Sequence, residues 1–258
     1  MTARDIAAII EDFAPPALQE SWDNSGMQID NSGREIAGVL VCLDVTEAVL
    51  DEAVANGCNM VVSHHPLLFA GLKRIDDSNC TGRCVAKAIK NDIAIYSSHT
   101  CMDKIADGVS GRMCRKLGLR DCSILEEHGP GTGFGMAGLL PDALSGHDFL
   151  SLVKNIFHAG SIRHSPFTGK AIRKVAVCGG SGAFLIDRAI EINADAYICG
   201  DIKYHDFFKA ENRILLADIG HYESEQYTKE IFFELLSKKN DKFAVRFSER
   251  DRNPVFRF

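Results

Sequence analysis

The sequence predicts an α/β fold that is built from a repeated unit. Residues 38–66 and 174–205 each show an apolar strand, a helix with apolar residues three and four apart, and a second apolar strand. Both first strands contain the pattern Val-x-Val-Cys. A strand, helix and strand at this spacing predict a βαβ unit with parallel strands.

The similarity continues beyond these units. Residues 91–119 and 212–239 each begin with an apolar strand, followed by a histidine, an acid four residues later, and a helix. His99 and Asp103 in the first copy correspond to His221 and Glu225 in the second. We therefore predict an internal duplication. The alternative is that two βαβ units resemble one another through hydrophobic pattern alone.

The segment between the copies is rich in glycine. Gly133, Gly135 and Gly138 match the G-x-G-x-x-G pattern of dinucleotide-binding proteins, in which a helix opens directly after the motif. Here the motif leads into "LLPDALSG", and a helix is expected only from about Asp148. We predict a glycine-rich strand or bulge that ends near Pro141.

Composition excludes several classes of protein. The 258 residues carry a net charge of −6 and no basic run, which argues against duplex nucleic acid as a partner. No run of 18 apolar residues is present, so we expect no membrane span. The nine scattered cysteines contain no C-x-x-C, and the N-terminus is typical of an amphipathic helix and not of an export signal. These features predict a cytoplasmic protein with reduced thiols.

Five histidines are placed where α/β proteins form their sites. His64, His65, His99 and His221 fall at the carboxyl ends of predicted strands, and His205 follows another. The other four lack acidic neighbours at ligand spacing, and we interpret them as surface or structural residues: His128, His147, His158 and His164.

Each histidine–acid pair has a spacing of four residues, which places both side chains on one face of a helical turn. A helix start favours a carboxylate and a neutral imidazole, and the neutral imidazole is the form that binds metal. Taken alone, such a pair is more often a helix cap or a solvated contact than a pair of metal ligands.

His64 and His65 are adjacent and precede Pro66, which favours an extended backbone. Neighbouring side chains at a strand end diverge, so two imidazoles suit two metal ions better than one tetrahedral ion. The second copy has Asp201 and Ile202 at the equivalent positions. Imidazoles combined with carboxylates suit zinc, iron, manganese, cobalt or nickel, and composition does not choose among them.

Six motifs in order carry a family resemblance that runs nearly end to end. They are "PPALQESWDNSGMQI", "SHHPLLF", "SSHTCMDKIADGVSGRMCRKLGL", "GDIKYHDFFKA", "DIGHYESE" and "NPVFRF". The sequence resembles the Nif-three-like family, also named GTP cyclohydrolase 1 type 2 homologs. The resemblance implies two similar three-layer α/β domains, a dinuclear metal site in the cleft between them, and a ring-shaped homohexamer. We expect the domains to span residues 1–125 and 126–258, with the C-terminal segment packing back on the first.

The resemblance also implies roles for residues at matching motif positions. His64 and His65 would bind one metal each, Asp103 would join one metal, His221 the other, and Glu225 would bridge them. His99 would lie beside the metals or face the substrate. Cys101 and Met102 depart from the residues usual in the family, and Trp22-Asp23-Asn24 match it and are interpreted as a structural turn.

The function implied is that of a dinuclear metal-dependent hydrolase acting on a nucleotide or related heterocycle through a metal-activated water. His99 or His205 would serve as general acid or base, and a structural bond at a helix start is the alternative for His205. Two other functions stay open: a nucleotide phosphoesterase, and a non-catalytic metal-binding or regulatory hexamer.

Overall fold

The computed structural model describes residues 1–31, 33–239 and 242–256, and it has a mixed α/β fold with two sheets. The chain forms two compact units. The first comprises Met1–Met102 and Thr228–Arg252, and the second comprises Asp103–Tyr227 and continues from Asn253. The predicted α/β fold class is confirmed. The domain division at residues 125 and 126 stays a prediction.

The first unit contains a five-stranded sheet in the order β1-β4-β3-β2-β11. Strands β11, β2, β3 and β4 are parallel, and β1 pairs antiparallel with β4. All residues of β2, β3 and β4 are buried, as expected for parallel strands covered on both faces. The strands are β1 Gly26–Ile29, β2 Gly38–Cys42, β3 Met60–Ser63, β4 Ala94–Ser97 and β11 Ala244–Phe247.

Helices cover both faces of this sheet. Leu40 and Cys42 of β2 and Ile95 of β4 share one core with α2 and α3. On the other side α9 contacts β2 and α1, and Tyr96 donates a hydrogen bond to Glu11 of α1. The unit therefore has three layers. Its helices are α1 Ala3–Phe13, α2 Glu47–Ala55, α3 Cys80–Lys90 and α9 Thr228–Lys238, with a 3-10 turn at Pro16–Leu18. The short helix α4, Thr100–Asp103, follows β4 and crosses the division between the units.

The second unit contains a six-stranded sheet in the order β5-β6-β8-β9-β10-β7, in which β8, β9 and β10 are parallel. The glycine-rich segment lies in β6, which confirms the predicted strand. The strand continues past Pro141 because the register is irregular between Leu139 and Leu144, where a proline removes no ladder hydrogen bond. The strands are β5 Arg120–Gly129, β6 Thr132–Leu144, β7 Arg163–His164, β8 Ile172–Ser181, β9 Ala196–Gly200 and β10 Leu215–Asp218.

Helices again cover both faces. Phe149 and Val153 of α6, together with Phe157 at its C-cap, pack with α5 on one face, and Ile186 and the preceding 3-10 turn pack on the other. The helices are α5 Val109–Lys116, α6 Gly146–Ile156, α7 Ile186–Glu191 and α8 His221–Glu225, with 3-10 turns at Ala183–Leu185 and Tyr204–Ala210. Among the described helices of the whole chain, none combines the length and apolar character needed to cross a membrane.

The two units share a topology. Strands β2, β3 and β4 are neighbours in chain order, as are β8, β9 and β10, and a short helix follows the last strand of each set. This correspondence supports the predicted duplication. It also places the predicted site residues at the carboxyl ends of equivalent parallel strands.

Candidate metal-binding site

In the first unit, three imidazoles meet at the carboxyl ends of β3 and β4. The ring centroids of His64, His65 and His99 lie 5.0 to 5.4 Å apart. One nitrogen of each ring lies within 4.8 Å of the others, close enough for them to hold a metal ion. His64 is fully buried, and the other two are partly buried.

Each of the three rings is oriented by a hydrogen bond that its Nδ1–H donates to an oxygen. This contact fixes the tautomer and makes Nε2 the nitrogen suited to a metal, an arrangement typical of metal-binding histidines. The acceptors are the Ser98 carbonyl for His64 at 2.9 Å, the Asp44 carboxylate for His65 at 2.9 Å, and the Asp23 carboxylate for His99 at 2.8 Å.

Two serines fix the backbone beneath these rings. Ser63 and Ser97 are register partners at the ends of β3 and β4, and their hydroxyl oxygens are 2.8 Å apart. Both hydroxyls also lie within hydrogen-bond distance of the His65 carbonyl oxygen, at 2.8 and 3.2 Å. The end of the parallel ladder therefore sets the direction in which His65 leaves the sheet.

Asp23 has a larger role than the structural turn that the sequence indicated. Its buried carboxylate accepts hydrogen bonds from His99, from the amide and hydroxyl of Thr100, and from the Ser25 hydroxyl. Burial alone would raise the pKa of Asp23, but the hydrogen bonds from His99 and Thr100 hold it well below its usual range. Asp23 is therefore an ionised anchor for His99.

In the second unit, His221 lies between two carboxylates. Its Nε2 is 2.9 Å from Glu225 and its Nδ1 is 2.7 Å from Asp201. The first contact confirms that the four-residue spacing places His221 and Glu225 on one face of α8. Burial alone would lower the pKa of His221, but the hydrogen bonds to Asp201 and Glu225 raise it to about 11.

A third carboxylate joins this group. Carboxylate oxygens of Asp103 and Glu225 lie within 4.8 Å of each other. Burial raises the pKa of the Cys178 thiol, and the negative charges of Asp103 and Glu225 raise it further. Both acids therefore lie near Cys178 of β8. Glu225 is itself buried.

Two glycines make room for α8 and its ligands. Gly180 has a φ of +61°, and a Cβ atom there would lie 2.1 Å from the Glu225 Oε1. A Cβ at Gly200 would lie 2.9 Å from the His221 Cα. Larger residues at these positions would displace the helix that carries both side chains.

These donor sets fit a divalent cation. Each unit brings together imidazole or carboxylate groups at ligand distance, and neighbouring carboxylates such as Asp103 and Glu225 repel one another unless a cation lies beside them. The groups therefore could hold a metal ion, and their nitrogen and oxygen donors suit the five metals named above.

His205 is placed differently from the other predicted residues. It is exposed in the 3-10 turn Tyr204–Ala210, where its ring contacts Tyr204 and Phe208. In the described part of the chain, the groups with metal-binding geometry do not include it. Conversely, the sequence analysis did not find Asp23 or Asp44 as partners of the histidines. The only available signal for Asp44 was its position just after the carboxyl end of β2.

The fold and this site define a protein of two α/β units with a histidine–carboxylate site that could bind metal, and comparison with known proteins specifies the family. The model of the family Duf34/NIF3 (NGG1p interacting factor 3) matches residues 1–254, and the chain belongs to this family. A protein of Nostoc described as "GTP cyclohydrolase 1 type 2 homolog" is 35% identical over 230 residues, covering 88% of each chain. A similarly described protein of Clostridium acetobutylicum is 32% identical over 231 residues, covering 87% of this chain and 85% of the relative.

Solved structures show the same fold along the whole chain. A hypothetical protein of Staphylococcus aureus superposes with a TM-score of 0.92 at 26% identity, and the match covers 100% of this chain and 99% of the other.

Proposed function

We propose that this protein is a dinuclear metal-dependent hydrolase. The observation that carries the proposal is the set of three imidazoles in the first unit, each oriented through Nδ1 by an acceptor. Such orientation is typical of metal-binding histidines because it fixes both the tautomer and the direction of the ring. Paired metals, when bound, supply an activated water and polarise the group that it attacks.

The proposed ligands are those implied by the family resemblance. His64 and His65 would contribute imidazole nitrogens to different metals, Asp103 would join one metal and His221 the other, and Glu225 would be shared by both. Supporting this assignment, His64 and His65 have different Nδ1 acceptors, and Glu225 is buried within reach of both Asp103 and His221.

We assign proton transfer to His99. Its ring lies beside those of His64 and His65, and the ionised Asp23 holds its Nδ1–H, which leaves Nε2 as the nitrogen that exchanges a proton with substrate. His205 is the less favoured candidate because its ring is exposed among Tyr204 and Phe208.

The substrate class is proposed from the relatives. Their description as GTP cyclohydrolase 1 type 2 homologs points to a nucleotide or related heterocycle. We also propose that the protein acts in the cytoplasm as a homohexamer, which sedimentation of the purified protein would test directly. A stable monomer or dimer would contradict the hexamer.

Formate and phosphate release from a panel of nucleotides tests the function. We expect metal-dependent release of one product. Formate would indicate ring opening, and phosphate would indicate phosphoester hydrolysis. His99→Ala should retain the bound metal and lose turnover, whereas His147→Ala, an exposed histidine at the start of α6, should change neither. Absence of turnover on every substrate with the metals in place would favour a non-catalytic metal-binding role.

A further inference from the structure

Beside the three imidazoles, the first unit exposes two large aromatic side chains. Trp22 is 58% exposed and Phe69 is 54% exposed. Their ring centroids are 6.0 Å apart, and they lie 6.0 and 6.1 Å from the ring of His99. Exposed aromatic clusters of this kind mark binding sites, because burying them against a ligand removes a large apolar area from water.

The two rings are held in place by hydrogen bonds along their own segments. Asn24 donates to the carbonyl of Leu68 at 2.7 Å, and the Leu68 amide donates to the Gln28 side chain at 3.1 Å. Gln28 in turn donates to the carbonyl of Asn24 at 2.6 Å. The loop that carries Phe69 is therefore tied to the turn that carries Trp22.

The Trp22 turn is also tied to the imidazole group. Asp23, which follows Trp22, accepts the hydrogen bond from His99, and Asn24 binds the loop that carries Phe69. The segment Trp22-Asp23-Asn24 therefore connects the aromatic pair to His99. The aromatic pair is consequently at a fixed distance from the proposed proton-transfer residue and is not an isolated apolar patch.

We propose that Trp22 and Phe69 form a stacking platform for a planar heterocyclic ring of the purine or pterin type. The exposed faces of the two rings favour a flat π-system, and every nucleobase offers one. The rings are 6.0 Å apart and inclined at 55°, so the ligand does not lie between them but stacks on the face of one ring and packs its edge against the other. This inference rests on the proposed function, since it assigns the ring-binding part of the same substrate site.

The chain offers a direct probe because Trp22 is its single tryptophan. Zinc-loaded full-length protein is titrated with guanosine 5′-monophosphate and with ribose 5-phosphate, which lacks the ring. We expect the nucleotide to quench tryptophan fluorescence and the sugar phosphate to leave it unchanged. Phe69→Ala should weaken the affinity for the nucleotide about tenfold or more.

Phe184→Ala is the matched control, because Phe184 is equally exposed at 55% but lies in the second unit. It should bind the nucleotide as the wild type does. On any substrate that is turned over, Trp22→Leu should raise KM with kcat and metal content retained, and Trp22→Phe should restore most of the loss.

Five outcomes would decide between these possibilities. Equal quenching by both probes, or unchanged affinity in Phe69→Ala, would overturn the platform. A change of oligomeric state in Phe69→Ala would also overturn it and would indicate a subunit contact. Nucleotide quenching without turnover would count against the hydrolase and support the ring site. Turnover with intact metals and no quenching would overturn the platform but leave the proposed hydrolase function standing.

Discussion

Each histidine of the first unit depends on one acceptor, and Asp23 is the acceptor with the most contacts. Both of its carboxylate oxygens accept hydrogen bonds, Oδ1 from His99 and Oδ2 from Thr100 and Ser25. An asparagine amide has only one such oxygen, so either orientation would set an N–H group against a donor. The role of His99 is therefore tied to the charge of its partner.

We predict that Asp23→Asn lowers turnover roughly 10- to 100-fold, the range typical for residues that orient an active-site histidine. It should also reduce the free energy of unfolding by about 1–3 kcal/mol, because a buried donor loses its acceptor. Steady-state kinetics and urea unfolding measure both quantities. The control is Asp30→Asn, which removes the carboxylate charge from the ion pair with Arg4. Wild-type turnover in Asp23→Asn would show that His99 needs no carboxylate.

The sequence predicted the positions of the histidines but not the carboxylates that orient them. His64, His65, His99 and His221 were found because strand ends are predictable from local hydrophobic pattern. The acceptors Asp23 and Asp44 were missed because they lie 76 and 21 residues from their histidines. Contacts over such separations depend on sheet order, which hydrophobic periodicity does not encode.

At the scale of elements, the position of α8 depends on the glycine of β8 beneath it. Gly180 combines a positive φ with a Cβ position that overlaps Glu225. Gly118 offers a comparison, because its φ is +66° and no atom lies within 4 Å of a Cβ there.

We predict that Gly180→Ala reduces metal binding and destabilises the protein more than Gly118→Ala does. Both variants place an alanine in the left-handed region, at a cost of about 1–3 kcal/mol. Only Gly180→Ala also places a Cβ atom in steric overlap with Glu225, a proposed metal ligand. Thermal unfolding and metal titration of the two variants separate the effects. Equal stability and equal metal affinity in both would mean that the space beside Glu225 has no role.

The C-terminal segment after β11 is bound to the end of β2 by a buried carboxylate. Asp251 accepts a hydrogen bond from the Leu43 amide at 2.9 Å and pairs with Lys229 of α9 at 2.6 Å. Because Leu43 precedes Asp44, this contact also supports the residue that orients His65. The sequence analysis expected the C-terminal segment to pack on the first domain but did not identify this contact, because 208 residues separate the two partners.

We predict that Asp251→Ala lowers the free energy of unfolding by about 3–5 kcal/mol, as expected when one partner of a buried ion pair is removed. Asp187→Ala, which breaks an exposed pair with Lys209, should cost less than about 1 kcal/mol. Urea unfolding monitored by circular dichroism compares them. A similar small loss in both variants would show that the C-terminal segment is not a structural tie.

At the scale of the whole molecule, the sequence predicted the fold class and the duplicated strand order, and the structure confirms a mixed α/β fold with two sheets. Both units carry the histidine–acid pattern, but they differ at an earlier strand end, where His64 and His65 of the first unit correspond to Asp201 and Ile202 of the second. The first supplies three imidazoles, whereas the second supplies one imidazole among carboxylates. Because the proposed ligands come from both units, the metal content has to be measured on the full-length chain.

The most direct test of this account is therefore the metal content of the purified full-length protein, measured by elemental analysis after loading with zinc. We predict two equivalents per chain in the wild type and in the His147→Ala control, and a loss of metal with retained circular dichroism in His65→Ala. Two equivalents retained in His65→Ala, or none bound by the wild type, would contradict the proposed dinuclear site.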